Sequence, residues 1–432
     1  MRSRPLLAVF ARYPVPGRVK TRLARDVGDG PACTIYRACT DRTLRAARRW
    51  AGAMGGVARI YSAGRPGPRW SEWLGPEWRV LPQKGDDLGD RMSGALHGAL
   101  EEGFRPVLCV GTDLPGLTAR HLKSALKALR DADVVLGPAA DGGYYLIGLD
   151  GPAPGLFRDI PWSTSSVLDR TLDAARRAGL RAEQIETLND LDTVEDLRGG
   201  AGPTSAVIPA RNEEGNIART VRMVRDLGVA ETIVVDGHST DHTADIAREA
   251  GATVLRRPPG RGRQLNAGAD AATGETLWFI HADCRLEPLA LWELGRVLED
   301  QSVAGGAFRL RLEPRTPALA VLEYTANLRS RFLGKPYGDQ AMFVRRGAFD
   351  QVGGFPDWPL MEDVEMARRI REAGRLAIVP SGCVASSRRW LRGGVLRRYI
   401  ISKLALLGYR LGEPPEVLQR LYERGSGRRV RR

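Results

Sequence analysis

Short apolar runs alternate along the chain with segments whose apolar residues recur at helical spacing. Leu6–Phe10, Val134–Leu136, Ser205–Ile208, Thr232–Val235 and Gly305–Leu312 read as strands, and so do the runs in PVLCVGTDLPGL (106–117) and LWFIHADCRL (277–286). Between them Ile35–Trp50, the Met92, Leu96, Leu100 series and Leu360–Gly374 read as helices. Runs that are apolar throughout, bounded by turn residues, fit strands buried on both faces of a parallel sheet. Strands alternating with helices predict α/β units.

Two of the runs end on a lone carboxylate, Asp113 in the first half and Asp283 in the second. Ligands of open α/β sheets collect at the carboxyl ends of the strands, and divalent cations take carboxylate and phosphate oxygens. Both positions therefore suit a metal held against a nucleotide phosphate. An Asp after a strand equally serves as a turn or helix cap, so each position alone leaves both readings open.

Other loops carry matching chemistry. ARYPVPGRVKTR (11–22) brings Lys20 and Arg22 to the end of the first strand, where backbone N–H groups and cations can wrap a phosphate chain. It lacks the glycine spacing of a Walker loop, and a solvated basic turn fits it as well. Gly142 and Gly143 beside Asp141 permit close backbone approach to a ligand, and NDLDTVEDL (189–197) reads as an acidic final helix.

In the second half PARNEEGNI (209–217) places Pro209, Arg211 and Glu213 before a helix, and TIVVDGHSTDHTADIA ends a strand at Asp236. A carboxylate at the latter position can accept hydrogen bonds from a nucleobase or ribose. His238 and His242, one helical turn apart, lack a third ligand and make a weak metal motif. Arg261 and Arg263 stand in a glycine-containing loop, where arginines can grip a diphosphate. YGDQAMF (337–343) offers Asp339 and Gln340. Glu362 and Asp363 open a helix, either as dipole-matching caps or as a general base with an orienting partner.

At 432 residues and 43% hydrophobic, the chain can build two cores. The glycine-rich GGAGP (199–203) is the expected linker between domains at 1–198 and 204–400, with a basic, amphipathic tail at 401–432. Five cysteines without a Cys-x-x-Cys pair argue against a disulfide framework and a zinc site, which points to a reducing cytoplasm. No leader is expected, since the opening MRSRPLLAVFARYP reads as a first strand, and no apolar run nears the length of a membrane span.

A net charge of +14 invites a nucleic-acid reading. Only six of the 65 basic residues are lysines, however, and the arginines are spread over both halves, so no specific nucleic-acid partner is expected. A local excess at Arg388, Arg389, Arg392, Arg397, Arg398 and the terminal RGSGRRVRR flanks the apolar WLRGGVLRRYIISKLALLGY (390–409). That pattern suits either peripheral contact with the inner face of the cell membrane or packing against the preceding domain.

Taken as sets, these motifs carry two resemblances. FARYPVPGRVKTRLA, QKGDDLGDRM, GTDLPGLT and ADGGYYLIGL resemble the first of two transferase families that accompany radical-SAM and selenium-associated gene sets, which are related to nucleotidyltransferases. PARNEE, VVDGHSTD, FIHAD and MEDVEMARRI resemble family 2 glycosyltransferases, the inverting GT-A class. GRGRQLNAGA, YGDQAMF and SSRRW are similar to a branch of it linked by name to arsenosugar biosynthesis.

The resemblances imply two tandem GT-A (Rossmann-like) α/β domains, each a mainly parallel sheet flanked by helices. They also imply a divalent metal (Mg²⁺ or Mn²⁺) at Asp113 and at Asp283, and phosphates near Lys20 and Arg22. Many relatives have Asp-Asp where this chain has Asp236-Gly237, and the Asp-x-Asp metal motif here begins with His281. In the implied reaction a nucleotide sugar meets a hydroxyl acceptor, with Asp363 as base and Asp339, Gln340, Arg389 and Trp390 on the acceptor side. The first domain would take a nucleoside triphosphate and make the activated donor. A second glycosyltransferase or an inactive first domain, and a lipid acceptor for the second, stay open as alternatives.

Overall fold

The computed structural model describes residues 3–425, apart from the side chains of Leu333, Arg389, Arg392 and Arg424. The chain divides at Asp196/Leu197 into two compact units. The first holds β1 (Leu6–Ala11), β2 (Val57–Ser62), β3 (Val80–Pro82), β4 (Val107–Val110), β5 (Val134–Pro138), β6 (Tyr144–Leu149) and β7 (Ala182–Gln184). They form one sheet in the order β3-β2-β1-β4-β6-β5-β7. Every neighbouring pair is parallel except the two made by β6.

The sheet is apolar on both faces, as its continuous runs predict. Leu6, Ala8, Val107 and Cys109 pack with the helix Leu88–Glu101 on one side. Leu7, Val9, Leu108 and Val110 pack with residues of the helices Asp29–Met54 and Ala119–Ala128 on the other.

The second unit holds β8 (Thr204–Ala210), β9 (Glu231–Asp236), β10 (Thr253–Arg256), β11 (Thr276–Phe279), β12 (Arg285–Leu286), β13 (Val303–Glu313), β14 (Phe343–Arg345) and β15 (Arg375–Ser386). Their order is β10-β9-β8-β11-β14-β13-β15-β12, with only β14 and β12 reversed. Both units are therefore mixed, mainly parallel α/β sheets, the architecture expected. The helix Arg261–Ala271 lies close on the second sheet because Gly268 has no side chain. A Cβ there would stand 2.3 Å from Val207 Cγ1, a separation no packed methyl tolerates.

Several local expectations change. Gly199–Ala201, expected as free linker, is a short 3₁₀ turn of the second unit with Ala201 buried, because the Ala201 carbonyl accepts the Thr276 hydroxyl at 2.7 Å. NDLD is a loop, and the helix begins only at Val194. His238 and His242 share no helical turn, since the helix starts at Thr243 and His238 holds φ 55°. The tail is not a separate segment: helix Val395–Arg410 is tied to helix Glu362–Ala373 by a hydrogen bond from the Tyr409 hydroxyl to Glu365 at 2.7 Å. The terminal basic run from Ser426 onward lies outside the described residues.

Candidate functional site

In each unit the parallel strands release their loops at the same sheet edge, and those loops hold the chemistry. In the first unit the loop after β1 carries Lys20, and the short turn after β4 carries Asp113. The segments after β5 and β7 bring Asp141, Asp190 and Asp192. Lys20 Nζ lies 2.7 Å from Asp113 Oδ1 and 2.9 Å from Asp192 Oδ1, with its side chain only 2% exposed. Burial opposes a charged ammonium, but the two carboxylates outweigh it and raise the Lys20 pKa.

Asp190 carries the opposite signature. Burial, reinforced by the nearby charges of Asp113 and Asp141, pushes its carboxyl up to about 7, and its buried Oδ1 has no hydrogen-bond partner. One lysine thus faces three carboxylates, with Asp141 beyond Asp190. An enclosed carboxylate oxygen without a partner, amid excess negative charge, is chemistry that a cation could answer, but among the described residues these carboxylates do not close into a three-ligand group, and Asp113 and Asp192 are already paired with Lys20. Arg22 stands mostly in solvent, with Nη1 3.9 Å from Asp192 Oδ2. Asp190 and Asp192 were missed as site residues in the sequence. The only signal was the acidic composition of NDLD, because the strand before it, Ala182–Gln184, is exposed and carries no apolar pattern.

Gly142 and Gly143 serve chain packing. Gly142 has φ 88°, and a Cβ there would fall 2.1 Å from the Ser165 carbonyl oxygen, while the Gly143 N–H donates to Asp141 Oδ1 at 2.9 Å. The close approach expected toward a ligand is made instead to the protein's own backbone. Gly142→Ala is expected to destabilise the first unit by about 1–3 kcal/mol through a strained φ and a backbone collision, measurable as a lower midpoint in urea.

In the second unit Asp236 ends β9 fully buried. Both of its oxygens face the Ser239 N–H, at 3.2 and 3.3 Å, and Arg256 Nε is 3.5 Å away. It shapes the 237–242 loop from below. Pro209 lies within β8 and Arg211 is exposed beyond it. Glu213 accepts from Asn216 Nδ2 at 2.9 Å, and its N–H donates to Thr243 Oγ1 at 2.7 Å, so it pins this loop to its neighbour.

Past the end of β11, His281, Asp283 and Cys284 bring one ligand atom each within 4.8 Å of one another. The imidazole and carboxylate suit Mn²⁺, which accepts nitrogen as well as oxygen donors. Cys284 is fully buried, and its contact with Cys383 together with burial drives its thiol pKa up.

Facing these groups is the start of helix Glu362–Ala373. Asp363 Oδ2 accepts the Gly338 N–H at 2.6 Å, and a Cβ on Gly338 would lie 3.3 Å from His281 Nε2, which fixes how closely Asp363, Gly338 and His281 converge. Asp339 is beside them. Its Oδ1 is buried without a partner, and burial together with the Asp363 charge raises its pKa to about 6.

Glu362 is buried, and Arg261 Nη1 stands 2.9 Å from its Oε1. Arg261, expected at a diphosphate, is thus held on the Asp363 side, while Arg263 is exposed and pairs with Asp357 at 2.8 Å. Gln340, expected on the acceptor side, is fully buried with its amide consumed internally. It donates to the Phe308 carbonyl and accepts from the Ser330 hydroxyl and the Tyr337 N–H. Trp390 is half-buried in a short helix, and the Arg389 side chain is outside the described residues.

Among the described residues seven non-glycine positions have positive φ. Five of them, Lys20, Asn212, His238, Ala341 and Met361, belong to these loops. Backbone strain concentrated there is the mark of sites whose surroundings hold a costly conformation in place.

Residues 46–164 match the family described as "Uncharacterized protein conserved in bacteria (DUF2064)", and residues 205–353 match "Glycosyl transferase family 2". The protein therefore carries a DUF2064 domain followed by a family 2 glycosyltransferase domain. It belongs to one family with the uncharacterised protein MT1568 of Mycobacterium tuberculosis (strain CDC 1551 / Oshkosh), 30% identical over 222 residues that cover 44% of this chain and 69% of the relative.

The phosphoenolpyruvate guanylyltransferase of Chloroflexus aggregans is 28% identical over 186 residues, 41% of this chain and 89% of that one. A solved structure, the glucosyl-3-phosphoglycerate synthase of Mycobacterium tuberculosis with Mn²⁺, uridine-diphosphate and glucosyl-3-phosphoglycerate, is 26% identical. It covers 51% of this chain and 85% of that chain at a TM-score of 0.38. The chain spans 47% and 35% of two further curated relatives. Among the described residues no helix is long and apolar enough to cross a membrane.

Proposed function

We propose that the second unit transfers a sugar from a nucleotide sugar to a hydroxyl acceptor with inversion. The observation that carries this reading is the meeting of Asp363, Gly338 and His281 with Asp283 at the edge where the parallel strands end. The loops at Pro209–Glu213 and Asp236 line the nucleoside side. A divalent metal, Mg²⁺ or Mn²⁺, would be held by His281 and Asp283 and would offset charge on the leaving diphosphate. Asp363 removes the acceptor proton. The Gly338 N–H holds that carboxylate, and Arg261 with Glu362 stiffens the helix start from which it projects.

The decisive experiment incubates the full-length protein with Mn²⁺ or Mg²⁺ and a panel of nucleotide sugars that includes UDP-glucose. Acceptor-stimulated nucleoside diphosphate release supports the reading, and its absence with every donor removes it. The arsenosugar association rests on the resemblance of GRGRQLNAGA, YGDQAMF and SSRRW alone.

For the first unit we infer a nucleotidyltransferase-like reaction that supplies an activated donor. The lysine among three carboxylates and the relation to a guanylyltransferase support it. Lys20 meets phosphate charge, and Asp113, now paired with Lys20, is the carboxylate that would turn to a metal. Pyrophosphate release from a nucleoside triphosphate and a phosphorylated acceptor is the assay. Asp113→Asn is expected to lower it by at least about 100-fold, the scale of losing one electrostatic contact in an enclosed site.

A further inference from the structure

The helices Pro317–Leu333, Val395–Arg410 and Pro415–Gly425 pack together in the second unit and turn apolar side chains to solvent. Along Val395–Arg410 and its cap, Leu396, Ile400, Leu404, Leu407 and Leu411 recur every three to four residues and form one stripe. The two end leucines are 72% and 75% exposed.

The same helix is packed on its other side, where Ala405 and Leu406 are buried and Tyr409 bonds Glu365. It therefore has one apolar face for the protein and another left in water. Val321, Tyr324, Leu328 and Phe332 repeat the pattern on Pro317–Leu333, above the buried Leu319, Leu322 and Ala326. Val417 and Leu421 extend it.

Of the fourteen large apolar residues exposed among the described residues, twelve lie between Val321 and Leu421. Scattered exposed leucines need no explanation, but contiguous stripes on adjoining helices mark an interaction surface. The charge pattern selects the occupant. Residues 388–432 hold thirteen lysines and arginines against three glutamates, a formal +10 of the chain's +14. A second copy bringing the same face would bring the same charge, whereas an anionic bilayer is attracted by it and accepts leucine stripes into its acyl boundary. Tyr324 on the outer face and Tyr399, with Lys403 Nζ 5.1 Å above its ring, are side chains suited to the headgroup layer.

We propose that this three-helix face docks the protein on an anionic lipid surface, lying in the headgroup region without crossing it. The face adjoins the candidate site: Tyr422 of the last helix is among the groups acting on Arg261, and Tyr409 holds the helix that begins with Glu362 and Asp363. The docked protein therefore keeps its acceptor side close to the bilayer. Docking requires no sugar transfer, so its test stands or falls separately from the proposed reaction.

The full-length protein is sedimented with phosphatidylcholine vesicles, with and without roughly 30 mol% phosphatidylglycerol, at low salt and at about 0.5 M salt. Expected is partitioning at least about tenfold stronger onto the anionic vesicles, weakened by salt. Leu396→Ser, Leu404→Ser and Leu411→Ser combined should remove it, and Arg397→Glu with Lys403→Glu, which leaves the apolar stripe intact, should weaken it at least about tenfold.

A wild type that stays in the supernatant with both vesicles overturns the proposal. So does a charge-reversed variant, with unchanged circular dichroism, that binds as tightly as the wild type. Sedimentation velocity supplies the remaining outcome: a dimer dissolved by the leucine substitutions would assign the face to a second copy.

Discussion

Asp363→Asn is expected to lower sugar transfer by about 10²- to 10⁴-fold, the range lost when a positioned general base is removed. Donor binding, read as a thermal shift with nucleotide sugar and Mn²⁺, should stay within about threefold of wild type, because the amide oxygen can still accept the Gly338 N–H that Asp363 Oδ2 accepts at 2.6 Å. Retained transfer would remove Asp363 as the base.

The rival is Asp339, whose raised pKa of about 6 and unpartnered buried Oδ1 also suit a proton acceptor. The two differ in their substitution and pH signatures. If Asp339 is the base, Asp339→Asn carries the large loss, and the wild-type rate falls as pH drops through about 6, where that carboxylate protonates. With Asp363 as base, Asp339→Asn costs less and chiefly changes the field around Asp363.

How much of this was legible from residue order depends on which physical signal placed each group. Asp283 and Asp113 could be read because the runs before them are apolar throughout, so their strands had to be buried and their carboxylates had to emerge at an edge. Asp190 and Asp192 could not. The strand that precedes them, Ala182–Gln184, is exposed at all three positions and has no apolar signature. Its place is set by pairing with β5, a tertiary effect.

Gln340 looked like a loop residue available to a ligand, since YGDQ is polar. It is internal because the Phe308 carbonyl and the Ser330 hydroxyl, brought there by β13 and helix Pro317–Leu333, satisfy its amide. The exposed stripes on the C-terminal helices were half legible. Apolar periodicity and basic excess are visible in the sequence, whereas packing on one face with a second apolar face left outward is a property of the assembled unit.

The Arg261–Glu362 pair was invisible for the same reason, and it carries the largest stability effect expected in the second unit. Glu362 is 2% exposed, and burial raises its pKa against the opposing pull of Arg261. Arg261→Met leaves that carboxyl without its cation. Breaking a fully buried pair costs about 3–5 kcal/mol. The Arg261 side chain keeps 40% exposure, so solvent already screens part of the attraction and about 2–3 kcal/mol is expected. That is a fall of roughly 5–10 °C in the midpoint of this unit.

The deficit has a definite pH sign. Without Arg261 the folded pKa of Glu362 lies still further above its unfolded value. The stability linked to its protonation is complete below the unfolded pKa and is lost as pH rises through the folded one. The variant should therefore be closest to wild type near pH 5 and furthest from it near pH 8. Arg261→Met combined with Glu362→Leu replaces the pair with apolar groups and should recover most of the loss, since the buried charge that had lost its partner is gone. Equal destabilisation of the single and double variants at every pH would show that Arg261 acts through packing of its stem, and would remove the ion pair as the element that stiffens the start of the Asp363 helix.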